Sequence, residues 1–183
     1  LLCWNKAPHR NWQPALRDAN WLNDVTVPEP ATLFDDYSNR ASPARLQKMN
    51  IGKDMIMGYD LKIGTNYAAN PLYAARNVDF AAKHPEGDAL TRWKYQTFLK
   101  DYLRCIKAVD DNVGRVLDAL KSEGLDTNTI VIYSSDQGFY MGEHGYFDKR
   151  WIYEESLHMP FIISWPGVVK PGTRFTPFIQ NID

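Results

Sequence analysis

Residues 129–149 read TIVIYSSDQGFYMGEHGYFDK, a short apolar run that passes directly into a loop of carboxylates and glycines. Thr129 to Tyr133 is β-branched and aromatic and lacks polar alternation, the pattern of a strand covered on both faces. Downstream, Pro160 to Trp165 (PFIISW) has the same character and is closed by Pro166 and Gly167. Upstream, from about Leu90 to Leu120, the apolar residues Leu99, Leu103, Ile106, Val109, Val113 and Val116 recur at three and four. Leu117 and Leu120 extend the series. That spacing predicts one face of a long amphipathic helix, with Gly124 as its stop. Helix, buried strand, long loop and buried strand make an α/β layout, in which ligands bind beyond the carboxyl ends of the strands. The loop that begins at Ser134 therefore lies where a site is expected.

The rest of the chain sets bounds on that reading. With 183 residues, 44% of them hydrophobic and 13% aromatic, there is material for one substantial core. Lysine plus arginine (21) nearly balances aspartate plus glutamate (22), so the bulk charge points to no nucleic acid partner and no acidic membrane surface. No apolar run approaches a membrane span, and LLCWNKAPHR is too short in its apolar part for a secretory signal. Cys3 and Cys105 are far apart and carry no metal-ligand spacing. All eleven prolines lie at or before Pro85 or at or after Pro160, which leaves a regular middle between irregular flanks. Residues 1–86 are expected to be irregular, with short helical pieces such as Ala44 to Asn50, and to shape the rim of a site. Leu1 to Trp4 reads as the tail of a buried strand entered midway, and the chain stops at QNID without a turn or helix end. Both ends suggest an internal piece of a longer polypeptide.

The loop carries specific chemistry. Asp136 stands at the strand end and Gln137 beside it offers a neutral carbonyl oxygen, a pairing that suits calcium or magnesium better than zinc. Gly138, Gly142 and Gly145 allow the chain to fold back tightly. His144 can donate to or accept from an oxygen near neutral pH, and Lys149 supplies a compact positive charge for an oxyanion. Taken singly, each has an ordinary reading as a capped turn, a solvated histidine or a surface charge. Their joint placement after one buried strand favours a site.

The segment SSDQGFYMGEHGYFDKRWIYEESLHMPFIISWPG, residues 134–167, resembles the second metal-ligand segment of the sulfatase family, within the alkaline-phosphatase-like superfamily. The resemblance implies a sandwich with a mixed, mostly parallel central sheet flanked by helices. It makes Asp136 and Gln137 calcium ligands and Lys149 a sulfate contact, with His144, which matches the GEHG turn, a substrate-binding candidate. KAPHRNW, residues 6–12, is similar to the segment whose histidine touches the sulfate or the leaving oxygen; His9 is the matching position and Lys6 a weaker candidate. WKYQTFLKDYLRCIKAVDDNVGRVLDAL, residues 93–120, resembles the helix before the metal strand. Within the family the chain looks most like N-acetylglucosamine-6-sulfatases and glycosaminoglycan sulfatases. The implied compartment is secreted, periplasmic or lysosome-like.

The family's nucleophile is a formylglycine made from Cys or Ser in a Cys/Ser-x-Pro-x-Arg context, and it is not found in this chain. Ala41-Ser42-Pro43-Ala44-Arg45 has the Pro and Arg spacing, but alanine cannot be oxidised to the aldehyde, and the segment follows KAPH where the family's nucleophile precedes it. Asp35-Asp36 read as turn or cap residues and Asp110-Asp111 as a solvated helix face. His84 and His158 read as structural, and Trp4, Trp12 and Trp21 as core or rim aromatics before sugar platforms.

The expectation is a calcium-assisted sulfuric ester hydrolase acting on a saccharide, with the formylglycine upstream of this chain, and the chain alone inactive. In the resembled mechanism the hydrated aldehyde attacks sulfur, the alcohol leaves, and the sulfated hydrate collapses to release sulfate. A phosphate or phosphonate ester hydrolase on the same scaffold is the alternative, and a non-catalytic carbohydrate-binding relative is the second.

Overall fold

The computed structural model of the chain describes residues 1–180; the last three residues of the QNID ending lie outside them. In chain order the described residues form helices α1 (Ser42–Leu46), α2 (Thr65–Ala68), α3 (Ala74–Lys83) and α4 (Gly87–Ser122), and strands β1 (Val131–Ser134), β2 (Tyr140–Met141) and β3 (Phe147–Asp148). Helix α5 (Glu154–Leu157) and strand β4 (Phe161–Ser164) follow. Two compact units divide them, Leu1–Asp111 with Tyr140–Asp148, and Asn112–Phe139 with Lys149–Asp183.

The long helix forms where its periodicity places it. Asp88 in the first turn and Lys121 in the last complement the helix dipole. At the C-terminus, Gly124 adopts φ 65° and the Leu125 amide donates to Leu120 O at 2.9 Å, the six-to-one closure that ends a helix on a left-handed glycine. The buried face is not the expected one. Leu99 and Val109 are buried, but so are Tyr95, Phe98, Tyr102 and Cys105, and with them the charged Lys94, Asp101 and Arg104, while Leu117 is exposed. The charges can be buried because each has partners. Asp101 Oδ1 accepts from Arg76 at 2.6 Å and Arg104 at 3.2 Å, and Lys94 Nζ donates to Gly52 O at 2.7 Å.

Those side chains also explain how a first third without strands satisfies its backbone. Along α4, Tyr95 Oη donates to Pro28 O at 2.5 Å, Arg104 Nε to Trp21 O at 2.8 Å, and Gln96 exchanges two bonds with the backbone of Val27. Irregular chain is thus laid on a regular helix, with the helix side chains acting as the missing ladder. Trp12 fills the centre: its ring lies 4.5 Å from Phe98 and 6.4 Å from Phe147, and all three side chains are almost fully buried. The expected helical piece over Ala44–Asn50 appears slightly earlier, as α1.

The strands bring two corrections. β1 pairs with β4 antiparallel, Val131 opposite Ser164 and Ser134 opposite Phe161, and β2 pairs with β3, also antiparallel. Both pairings among the described residues are antiparallel, as a mixed sheet admits. β1 and β4 are not covered on both faces: Ile132, Phe161 and Ile162 are at least half exposed, as a two-stranded ribbon has no second layer. Leu1 to Trp4 forms no strand and is exposed, since neither sheet among the described residues offers it a partner.

Candidate functional site

The sheet delivers Asp136 two residues past the end of β1. Ser135 Oγ donates to Gln137 O at 2.8 Å and lies 3.4 Å from Asp136 Oδ1, which turns the chain so that both Asp136 and Gln137 are solvent-exposed. The next residue closes the turn. Gly138 N–H donates to Ser156 O at 2.9 Å, and a Cβ there would collide with Glu155 O and come within 2.7 Å of His158 O. Only glycine lets the chain lie against the carbonyls of α5.

Lys149 returns to this spot from the far end of the loop. Its Nζ lies 3.7 Å from Asp136 Oδ2, and while the Asp136 side chain is 81% exposed that of Lys149 is only 19% exposed. The arrangement sets an ammonium, partly withdrawn from water, beside an open carboxylate. One carboxylate and one amide oxygen are hard donors of the kind calcium takes, and they supply two of the roughly six to eight oxygens it needs. No cluster of three or more His, Cys, Asp or Glu positioned for a metal occurs among the described residues. The donor chemistry fits calcium, with further oxygens to come from outside this set.

The glycines later in the loop serve a different end. Gly142 (φ 110°) and Gly145 (φ 69°) are both buried: a Cβ at Gly142 would come 2.5 Å from the Tyr95 ring, and one at Gly145 2.8 Å from Leu33 O. Between them His144 is clasped by the first unit. Its amide donates to Thr32 Oγ1 at 2.9 Å, its carbonyl accepts from Tyr37 Oη at 2.5 Å, and its Nδ1 lies 3.3 Å from Asp35 Oδ2.

His9 and Lys6 share one turn, the His9 amide donating to Lys6 O at 2.9 Å, and both side chains are exposed. His9 Nδ1 lies 2.8 Å from Arg10 O. The structure thus brings Asp136 and Lys149 together within the second unit, while His9, Lys6 and His144 belong to the first.

The residues set aside as ordinary behave so. Asp35 and Asp36 cap a turn, accepting from the amides of Tyr37 and Ser38, and Asp111 pairs with Lys107 one turn earlier in α4. His84 ends α3 in a left-handed conformation, and His158 sits 3.6 Å from Glu154. Pro43 opens α1 as a first-turn proline. Trp12 is core, whereas Trp4 is 87% exposed. Cys3 and Cys105 are both free, and burial pushes the Cys105 thiol up to about 11. Arg10 and its partner Asp60 escaped the sequence reading, since nothing local links two residues fifty positions apart.

The sulfatase family model matches residues 19–183. The chain is 41% identical to an N-acetylglucosamine-6-O-sulfatase of Bacteroides thetaiotaomicron over 100% of its own length and 37% of that protein, and 35% identical over 55% of its length to an endo-4-O-sulfatase of the same organism, 20% of which it covers. It superposes on a solved structure of BT4656 in complex with its substrate D-glucosamine-2-N,6-O-disulfate with a TM-score of 0.84 and 43% identity, covering 91% of this chain and 38% of that one. The chain thus spans little more than a third of the N-acetylglucosamine-6-O-sulfatase and of the solved structure, and its match to the endo-4-O-sulfatase spans a fifth of that protein.

Proposed function

The chain belongs to the sulfatase family and carries part of its α/β, alkaline-phosphatase-like fold; from this we propose that the full-length protein is a sulfuric ester hydrolase acting on a 6-O-sulfated amino sugar. The observation that carries the substrate class is the likeness to the N-acetylglucosamine-6-O-sulfatase, which runs the whole length of the chain, whereas the likeness to the endo-4-O-sulfatase covers about half of it.

In this reading Asp136 and Gln137 would hold calcium through their side-chain oxygens, and the ion would supply Lewis-acid polarisation of the sulfate oxygens toward a formylglycine nucleophile from outside this chain. Lys149 holds a sulfate oxygen and offsets the charge that builds on it; its low exposure strengthens that interaction. His9 contacts the ester oxygen and protonates it as the alcohol leaves, with Lys6 adding charge at the same turn. His144 has the smaller part of holding the loop in place. The substrate is a sulfated saccharide, and the compartment is periplasmic, secreted or lysosome-like, as befits such a substrate. Among the described residues no helix is long and apolar enough to cross a membrane.

The test is release of inorganic sulfate from glucosamine 6-O-sulfate by the full-length protein. Turnover that is lost on chelation and restored by calcium is the expected result. Release of phosphate from a monoester with no sulfate release would replace the proposal by the phosphate-ester alternative, and tight binding of the sulfated sugar with no turnover would replace it by a binding protein.

A further inference from the structure

His9 sits exposed on an irregular segment, yet its ring has a defined orientation. Its Nδ1 lies 2.8 Å from the carbonyl oxygen of Arg10, and because a carbonyl only accepts, Nδ1 carries the proton. The neutral ring therefore turns an unprotonated Nε2 outward, and the imidazolium turns an N–H outward from the same atom. Such a bond orients the ring only as well as the carbonyl itself is held.

That carbonyl belongs to a firmly anchored residue. Arg10 Nε and Nη2 donate to Asp60 Oδ1 at 2.6 Å and Oδ2 at 2.7 Å, a two-pronged pair that fixes direction as well as distance. Asp60 is 1% exposed, and its Oδ2 accepts a third bond, from the Ile56 amide, at 2.7 Å. The guanidinium carbon also lies 4.9 Å from the centroid of the buried Phe147 ring and 5.5 Å from that of Tyr59. On the other side of His9, Trp12 Nε1 donates to Pro8 O at 2.8 Å. The backbone is pinned to the core immediately before and after the histidine.

We infer that Arg10 is a positioning residue for His9: the Arg10–Asp60 fork fixes the carbonyl that sets the tautomer and direction of the His9 ring. The inference rests on the reading of His9 as the group that meets the ester oxygen. It assigns Arg10 no contact with substrate. It also explains why an exposed histidine on a strandless segment is preceded and followed by residues tied into the interior.

The experiment is a pair of cycles on the full-length protein, with sulfate release measured per folded molecule. Arg10→Lys keeps the charge and loses the fork. The expected result is a fall in kcat of about tenfold or more with KM within about twofold. In a His9→Ala background the same change is expected to cost less than about twofold, because its effect passes through the ring that has been removed. Asp60→Glu, which keeps the charges but alters the reach of the fork, is expected to give the same pattern and serves if Arg10→Lys does not fold. Turnover within about twofold of the parent in a folded Arg10→Lys protein overturns the inference, as does an equal loss in both backgrounds, which assigns the pair to folding alone. If His9→Ala by itself retains turnover, the premise fails, and it does so without any change at Arg10.

Discussion

From Asp136 to Phe147 the exposure of the chain falls from an 81% open carboxylate side chain to a ring with 0% left in water. The two ends of one loop use glycine in the same way and for opposite purposes. Gly138 lays the chain against the carbonyls of α5 and leaves Asp136 and Gln137 outside, whereas Gly142 and Gly145 press it against Tyr95 and Leu33 and are themselves buried, with Glu143 and His144 between them half-buried. The buried end fixes the path of the backbone; the open end carries the groups that can meet an ion or an anion. Lys149 follows directly on the buried end and pairs with the open one.

That contrast is open to direct attack. The largest effect is expected from Lys149→Ala in the full-length protein, with turnover of a sulfate ester reduced about 10²–10³-fold and the melting temperature essentially unchanged. Near-normal steady-state rates would show that the open end is not where charge is stabilised. Gly142→Ala is the complementary attack on the buried end. A Cβ 2.5 Å from the Tyr95 ring, at φ 110°, is expected to cost about 3 kcal/mol in denaturant unfolding. A variant as stable as the parent would mean that the loop can shift.

Asp136→Asn removes the one carboxylate of the proposed ion pair of ligands. Calcium affinity by titration calorimetry is expected to drop at least about tenfold while unfolding is unaffected, because the side chain is already in water. Tyr37→Phe, which deletes the 2.5 Å bond to His144 O, is expected to do the reverse, costing about 1 kcal/mol of stability with little effect on calcium.

Lys62 offers the gentlest test of the buried side. It is 1% exposed, and burial lowers its ammonium pKa from 10.5 to about 8, against the opposing pull of Asp101 and Asp60. Between pH 8 and 10.5 the unfolded chain keeps a proton that the folded chain has released, so this group makes unfolding free energy rise with pH across that window. Lys62→Met is expected to lower that slope by up to about 1.4 kcal/mol per pH unit. An unchanged slope would mean that the lysine stays charged in the fold.

Much of the scaffold was legible before any coordinates. The three-and-four spacing from Leu90 to Leu120 located α4 almost to its ends, and Gly124 marked its stop. TIVIY and PFIISW located β1 and β4. Asp136, Gln137 and Lys149 were picked out by residue type and by their place after a strand; in the fold Lys149 Nζ lies 3.7 Å from Asp136 Oδ2. The buried face of α4 was misread because hydrophobicity alone cannot reveal that Lys94, Asp101 and Arg104 have partners inside. That β1 and β4 pair with each other, and antiparallel, was not legible, because a strand pattern does not encode which neighbour it meets.

The amino-acid sequence by itself determined the long helix, the two apolar strands and the polar, glycine-rich loop between them, because periodicity, turn glycines and side-chain chemistry act over a few residues. Only the tertiary structure decided that Gly145 to Phe147 is buried while Asp136 is open, and that Arg10 is forked onto Asp60 beside His9. Burial and ion pairing join residues as far apart as fifty or a hundred positions, and no local pattern carries a trace of the partner.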